Sequence, residues 1–404
     1  MMQILFFILF ILIGIIFYVI MYRKTKDILN PFGGSSFLWL FIVAFANLRL
    51  SYLQSKWGGE MYLIVIVAAV AIFSAGLLTT TSSNSFYYSE SSVHITRYYK
   101  QFTRLFCIIS IICALLEWRN SNYYISVFSQ MTGADLKTGL EGISGVHYGT
   151  ILLPYFSIYS FYELIYDDDK STIGNCYNVL VICVAALFSY FVLLSRGTLL
   201  IIVTGFIYIY HCKYRLKSRT SITLIIIILL GFVYMANIRL TSSSLVFTAT
   251  TKSAGFNAIY TYATFSFENL NKLVEHGSFY TIIYCSVLQH ILHPFNMDTL
   301  NIIMYNTEFF NAKTFLYEFY YDLGLIGTFI YPFIIYLLIG FVYRKSRCNG
   351  AYILILAVLQ KGIFTIFFGN YLSGMIVIVW PTFFTILVVC TLRRPIKLSL
   401  AIRK

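Results

Sequence analysis

The segment "NAKTFLYEFYYDLGLIGTFIYPFIIYLLIG", residues 311–340, combines a polar beginning with an apolar second half. Lys313, Glu318 and Asp322 lie among aromatic residues, and the part from residue 324 onward carries no charged side chain. An apolar run that continues for almost twenty residues has the length that a helix needs to cross a membrane. The segment therefore predicts a membrane-spanning helix preceded by a polar entrance, residues 311–323, which we call the mouth. The mouth carries two carboxylates and a lysine.

The composition of the whole chain agrees with a membrane protein. Of its 404 residues, 59% are hydrophobic and 19% are aromatic, whereas the apolar share of soluble globular proteins is near half. No stretch has the composition of a soluble domain, so residues 1–404 are expected to form a single transmembrane domain. The eight cysteines are scattered and contain no CxxC pair, which argues against a disulfide framework or a zinc site.

Apolar runs near membrane-spanning length recur along the chain and predict an all-α, polytopic bundle of about eleven helices, within a range of about ten to twelve. They occupy residues 2–21, 36–53, 62–79, 105–118, 148–166, 176–194, 197–212, 221–237, 324–342, 351–368 and 373–392. The first run has no basic residue before it and is followed at once by "YRKTKD". We therefore expect the N-terminus outside the cell membrane and the C-terminus in the cytoplasm.

The net charge of +13 follows from this topology. The linkers that alternation places in the cytoplasm hold 19 of the 29 lysines and arginines, as the positive-inside rule requires. They are "YRKTKD", "TRYYKQFTR", "DDDKST", "HCKYRLKSR", "YRKSRCNG" and "TLRRPIKLSLAIRK". A nucleic-acid partner is not needed to explain the basic balance.

Residues 238–323 are expected to form one large external loop, with a shorter external stretch at 119–147. The apolar segment 279–295 is predicted to be re-entrant or interfacial, because a full span there would put the later basic linkers on the wrong side. The large loop holds six of the sixteen acidic residues and three of the six histidines. Any chemistry is therefore expected to face outward.

Three cations lie where a membrane protein normally avoids them. Arg196 and Arg239 stand at outer helix ends, where the side chain of each either reaches lipid headgroups or binds a phosphate or pyrophosphate. Lys361 falls near the middle of a predicted span, which indicates a functional group or a tilted helix that brings its ammonium to an interface.

His290 and His293 are three residues apart and would share one face of a helix. Two histidines without a nearby carboxylate make a poor metal site, and no metal is expected. A general base or a hydrogen-bond donor near the membrane surface is the better interpretation. The chain contains no GxGxxG, GxxxxGK[ST], GxSxG or HExxH motif. Any substrate is therefore expected to carry its own activation, without a cofactor.

The opening segment and an "SRG" between two mid-chain spans resemble a known family. The segment is similar to the "TY...Y.DFG..G" pattern of bacterial O-antigen polymerases, the Wzy-type polymerases of oligosaccharide repeat units. The number of helices and the large outer loop in the second half also resemble that family. The residues that carry the resemblance in the opening segment are Asn311, Thr314, Tyr317, Tyr321, Asp322, Gly324 and Gly327.

The resemblance implies a glycosyltransferase in the bacterial inner membrane. Its substrates would be oligosaccharides linked to undecaprenyl pyrophosphate, and its product a surface polysaccharide such as O-antigen. A separate chain-length regulator is an implied partner, besides membrane lipids. Lipid pyrophosphate would leave as the growing chain is transferred.

Such a reaction requires a cationic clamp on the leaving pyrophosphate and a base at the acceptor hydroxyl. Arg196 and Arg239 are the candidates for the clamp, with Lys361 behind them. The base is sought among four residues, which are His290, His293, Glu268 and Asp322.

The carboxylates at the mouth, Glu318 and Asp322, are one helical turn apart and could hold sugar hydroxyls. Tyr317 and Tyr321 could offer aromatic faces to sugar rings. The alternative is an interfacial belt of tyrosines, with the carboxylates paired to Lys313. The two glycines are expected to permit close helix packing.

Two other functions remain open from the sequence. A flippase or transporter for lipid-linked oligosaccharides is also polytopic, although such proteins usually contain structural repeats, and none stands out here. An O-antigen ligase would share the lipid-pyrophosphate donor and the outward site.

Overall fold

A computed structural model gives the structure of the chain. It describes residues 2–80, 95–120, 143, 145–167, 171–191, 196–217, 219–220, 223, 254–277, 312–369, 372 and 378–392. The helices in these ranges are α1 (Met2–Thr25), α2 (Pro31–Asn47), α3 (Gly59–Thr79), α4 (Arg97–Asn120), α5 (Val146–Ile151), α6 (Leu153–Tyr166), α7 (Thr172–Phe191), α8 (Arg196–Tyr214), α9 (Ala254–His276), α10 (Leu316–Cys348), α11 (Tyr352–Phe364) and α12 (Trp380–Leu392). The all-helical fold class that the sequence predicts is confirmed for this part of the chain.

Five of the described helices are long and apolar enough to cross a membrane: α1, α3, α4, α8 and α10. The helices α2, α11 and α12 and most of α7 are apolar but shorter, with 10 to 17 residues. The predicted span at 221–237 and the predicted interfacial segment at 279–295 lie outside the described residues. The apolar helices indicate a membrane protein with several spans.

The boundaries of some helices differ from those that apolar runs predict. The run 148–166 is divided into α5 and α6, and Pro154 occupies the first turn of α6, where its missing N–H does no harm. Helix α10 begins at Leu316, eight residues before the predicted span. Helix α9 was not expected at all, because its asparagines, threonines and Glu268 interrupt the apolar pattern.

Helices α1, α2, α3 and α10 form one half of the bundle, in which α1 packs on α2 and α3 packs on α10. Small residues stand at the contacts. A methyl group on Gly340 would collide with Thr79, and one on Gly76 would collide with Phe32. Close approach through small residues is typical of helix packing in membranes.

Polar contacts gather the helix ends into two separate groups. At one end, Asp27 accepts from the Tyr343 hydroxyl at 2.7 Å and lies 2.9 Å from His211 Nε2, joining the ends of α1, α8 and α10. At the other end, the 48–58 connection bonds to α9, and Asn269 of α9 donates to the carbonyl of Ala312 at 2.7 Å. The first group contains the basic linkers and the second contains the predicted outer segments.

Helix α11 ends part of the way along α2. Ser35, in the first turns of α2, donates to the carbonyl of Ile363 at 3.0 Å, only one residue before α11 ends. The backbone then continues without helical structure, and Ile366 accepts from the Phe315 amide at 3.0 Å. Non-helical backbone at this depth in a membrane is tolerated where it is buried in protein.

Candidate functional site

The mouth of α10 folds back on the span that follows it. Gly324 has φ 57° and ψ −142°, a combination that is essentially confined to glycine. The rings of Phe319 and Tyr331 consequently stack with centroids 4.7 Å apart. Twelve residues of straight helix would separate their Cα atoms by about 18 Å. Residues 316–323 therefore lie alongside the start of the membrane-spanning part.

Gly327, three residues after Gly324, is also needed for this fold-back because the Phe319 backbone lies against it. A Cβ added there would collide with the carbonyl group of Phe319. The two glycines thus serve a turn within one element, whereas the sequence suggested close packing between helices. We call residues 312–323 together with 360–369 the outer pit, because the two segments meet at the Phe315–Ile366 hydrogen bond.

The two carboxylates of the mouth are buried inside the protein. Glu318 is 4% exposed and Asp322 is fully buried. Glu318 Oε1 lies 3.6 Å from Lys313 Nζ, which is the ion pair that the interfacial interpretation expects. Because charged groups are desolvated at a cost unless they are paired or hydrogen-bonded, the placement of both carboxylates inside an apolar bundle marks this segment as a candidate site.

The tyrosines of the mouth turn inward as well. Tyr317 is fully buried, with Lys313 Nζ 5.2 Å from the centre of its ring, and Tyr321 is also buried. Neither ring is presented to solvent. Tyr320, which the sequence did not single out, donates to Glu60 Oε1 at 2.8 Å and ties the mouth to the first turn of α3.

Lys361, which the sequence places near the middle of a predicted span, lies in the last turn of the short helix α11. The helix ends at Phe364 because Thr365 leaves the helical conformation, while its amide and hydroxyl both still bond to the Lys361 carbonyl. The side chain is 6% exposed. A cation in the last turn is favoured by the negative end of the helix dipole.

Two polar side chains of the outer pit have buried atoms without a hydrogen-bond partner in the protein. They are the hydroxyl of Thr314 and both amide atoms of Gln360. Buried polar atoms are nearly always hydrogen-bonded, so these groups have unused hydrogen-bonding capacity. The outer pit therefore combines two carboxylates, a lysine and polar groups that can take a further hydrogen bond.

Glu268 anchors α9 to the connection between α2 and α3. Its Oε1 accepts from the Ser55 amide at 3.1 Å and from the Ser55 hydroxyl at 2.6 Å. Its Oε2 is buried without a partner in the protein. Burial raises the pKa of the Glu268 carboxyl above its ordinary value, and the bonds from Ser55 oppose that rise.

The structure also pairs His147 with Glu117, two residues that the sequence did not single out. His147 Nδ1 lies 3.0 Å from Oε1 of Glu117, whose carboxylate also accepts from the Ile143 amide at 3.2 Å. Glu117 is buried and His147 is partly exposed. A carboxylate that holds one ring nitrogen orients the imidazole for proton transfer. Thirty residues separate the two in sequence, so no spacing rule could have paired them.

The structure does not describe the side chains of the other four nominated residues. Arg239, His290 and His293 fall outside the described residues. Arg196 is the first residue of α8, but its side chain is not among those described. The structure thus brings Asp322, Glu318, Tyr317 and Tyr321 together in the mouth of α10.

The described residues of the outer pit contain no nucleotide-binding loop. Comparison of the chain with protein-family models, with curated proteins and with solved structures finds no match. The resemblance to O-antigen polymerases therefore rests on the short motifs of the sequence, and the function has to be argued from the site itself.

Proposed function

We propose that this protein polymerises oligosaccharide repeat units linked to undecaprenyl pyrophosphate, on the outer face of a bacterial cytoplasmic membrane. The reaction is a glycosyl transfer: the bond between the growing chain and its lipid pyrophosphate breaks as a hydroxyl of the next repeat unit attacks. The product is O-antigen or a related surface polysaccharide.

One observation carries the proposal. The segment that resembles the polymerases, residues 311–327, is also the segment whose mouth is folded back at Gly324 and whose carboxylates are buried. Asp322 and Glu318 are the proposed contacts for sugar hydroxyls, and Lys361 is the proposed contact for the departing anion. An ammonium aimed at developing negative charge stabilises a transition state in a site that excludes water.

The proposed topology has about eleven spans, with the N-terminus outside and the C-terminus in the cytoplasm. The grouping of helix ends supports it, since the ends joined by Asp27, His211 and Tyr343 are those next to the basic linkers. Arg196 and Arg239 remain the proposed clamp on pyrophosphate. Glu268, His290, His293 and Asp322 remain the candidates for the base. A chain-length regulator is the proposed protein partner.

Profiling the surface polysaccharide after deletion of the gene tests the function. We expect the deletion strain to show a single repeat unit on its lipid core in place of a ladder. Wild type should restore the ladder, whereas Asp322→Asn, Lys361→Met, Arg196→Ala and Arg239→Ala should not, at equal protein levels. Lys345→Gln, an exposed lysine at the opposite end of α10, is the matched control that should restore it.

A transporter of the same lipid-linked oligosaccharides is the second candidate, and the short helix α11 favours it. A helix that stops part of the way across, followed by non-helical and mostly part-buried backbone, is the type of element that holds substrates in transporters. Deletion of a flippase or of a ligase would remove even the single repeat unit from the lipid core. That result would overturn the polymerase proposal.

A further inference from the structure

A partly enclosed cavity of about 220 Å³ lies beside Tyr343, at the end of the bundle opposite the outer pit. Its described lining residues are Thr80, Tyr343, Arg344, Arg347 and Cys348. Two of these five residues are positively charged and none is acidic. Arg344 and Arg347 are three residues apart on α10, so their side chains share one face of the helix. The cavity is therefore suited to an anion.

The guanidinium of Arg347 is held in place by the protein. Its Nη2 donates to the carbonyl of Thr25 at 2.6 Å and to the hydroxyl of Tyr343 at 3.1 Å. The Tyr343 hydroxyl in turn donates to the buried carboxylate of Asp27 at 2.7 Å. A side chain that is already fixed in the free protein loses little further conformational freedom when a ligand binds. Arg347 is thus a preorganised wall of the cavity.

Capping of helix ends accounts for two cations near this cavity, but not for Arg344. Arg347 bonds to the carbonyl of the last residue of α1, and Lys24 Nζ donates to the carbonyl of Leu77, in the last turn of α3, at 2.6 Å. Such contacts satisfy the carbonyls that are left over where helices end. Arg344 is exposed, and among the residues that the structure describes it has neither an ion-pair nor a hydrogen-bond partner. Its guanidinium is therefore available to a ligand.

Exposed apolar side chains adjoin this positive cavity. Leu78, two residues before Thr80 of the lining, is 70% exposed. On α10, Phe341 lies one turn before Arg344 and is 56% exposed, and Leu338 lies a further turn away and is 61% exposed. In a membrane protein such side chains face lipid. An acyl chain can lie along this surface while its headgroup reaches the cavity.

We propose that this cavity binds an anionic glycerophospholipid of the cytoplasmic leaflet through its phosphate, with Arg344 and Arg347 as the contacts. A guanidinium matches the geometry of a phosphate, and basic pockets between membrane-spanning helices on the cytoplasmic side bind anionic headgroups. The positive-inside rule predicts that this end of the bundle is cytoplasmic. The inference depends neither on the polymerase function nor on the outer pit.

Titration of the full-length protein in detergent with dioleoyl phosphatidylglycerol, followed by native mass spectrometry, tests the proposal. Wild type should bind its first phosphatidylglycerol about tenfold more tightly than dioleoyl phosphatidylcholine, whose headgroup has no net charge. Arg344→Gln should weaken the binding of phosphatidylglycerol about tenfold, through the loss of one charge-assisted contact. Cys348→Trp should weaken it as well, because the indole occupies the cavity while every charge is kept.

Lys345→Gln is the matched control. It removes one positive charge from the same turn of α10, but Lys345 lies 5.5 Å from the centre of the Tyr352 ring and does not line the cavity. This variant should bind phosphatidylglycerol as wild type does. Because Arg344 and Lys345 are both exposed, the two substitutions should leave the unfolding temperature close to that of wild type.

Each contrary result overturns the proposal in a definite way. Equal weakening by Arg344→Gln and Lys345→Gln would mean that the lipid is attracted by surface charge alone. Unchanged binding by Cys348→Trp would place the lipid outside the cavity, and equal binding of the two lipids by wild type would rule out recognition of the anion. If sn-glycerol 3-phosphate displaces phosphatidylglycerol at equal concentration, the acyl chains contribute nothing and the cavity is a site for a soluble phosphate.

Discussion

The carboxyl group of Glu268 gives a test at the scale of one residue. Burial raises its pKa in the folded protein above the ordinary value of 4.5. Below pH 4.5 the carboxyl is protonated in both the folded and the unfolded chain, so it has no effect on stability. Between 4.5 and the raised pKa the folded chain still holds a proton that the unfolded chain has lost, so stability falls over this window and Glu268 destabilises the protein by a constant amount above it.

We therefore expect Glu268→Gln to gain thermal stability relative to wild type as the pH rises from 4.5 toward 7.5. The measurement is the unfolding temperature of both proteins in detergent across that range. Glu275→Gln, which removes an exposed carboxylate from the same helix, should show no such trend. A constant difference between Glu268→Gln and wild type at every pH would contradict the prediction.

Gly327 gives a second test at this scale. Its missing side chain leaves room for the carbonyl of Phe319. Gly327→Ala should destabilise the protein by roughly 1–3 kcal/mol, as overpacking does, and should impair polysaccharide assembly by pushing the mouth off the span. Gly14→Ala in α1, whose nearest neighbours are 3.3 Å away or more, is the control. Unfolding temperatures and polysaccharide profiles of both variants check this, and equal effects would contradict it.

Individual residues show how much of the candidate site could be predicted from the sequence. Asp322, Glu318 and Lys361 could be selected because a charge in an apolar chain is expensive and therefore conspicuous. The sequence could not show that Tyr317 turns inward, because a fold-back at Gly324 decides it. It also could not pair His147 with Glu117, since only the packing of α4 against α5 brings them together.

At the scale of elements, the fold-back of α10 makes a direct prediction about distance. Cysteines at 319 and 331 should be joined by a short bismaleimide, because the native rings at these positions are 4.7 Å apart. Cysteines at 331 and 343 are also twelve residues apart, but they lie about 18 Å apart along continuous helix and should not be joined. Both pairs require a background without the eight native cysteines.

Mass spectrometry of the digested protein detects the cross-link. Linkage of both pairs, or of neither, would contradict the fold-back. If only the 319–331 pair is linked, the mouth of α10 lies against its span in the membrane as it does here. Adding Gly324→Ala should then reduce the linkage, since alanine is strained at φ 57°.

Elements were predictable where an apolar run was uninterrupted, as in α1 and α3. The mouth of α10 and the helix α9 were not, because both are built from residues that alternate polar and aromatic character and gain stability from contacts with other elements. Helix α9 is fixed by Tyr260, whose hydroxyl donates to Gln54 at 2.7 Å, and by Glu268. Such contacts join residues about two hundred positions apart and leave no local pattern.

At the scale of the whole molecule, the two groups of helix ends decide what faces outward. One group lies at the ends of α1, α8 and α10 around Asp27 and Tyr343, beside three basic linkers, and the other holds the outer pit. If the first group is cytoplasmic, as the excess of positive charge predicts, the outer pit lies toward the face at which we propose that lipid-linked oligosaccharides are polymerised. Orientation thus links the charge of the chain to its proposed chemistry.

Labelling with an impermeant thiol reagent tests this orientation in a background without native cysteines. Gly58→Cys, at the exposed start of α3, should react in intact spheroplasts, because this end of the helix bundle is expected to face outward. Asn349→Cys, in the exposed connection after α10, should react only after the membrane is permeabilised. The reverse pattern would place the buried carboxylates of the outer pit on the cytoplasmic side. Polymerisation at the outer face would then be impossible, and cytoplasmic loading of a transported lipid would become the better account of the same residues.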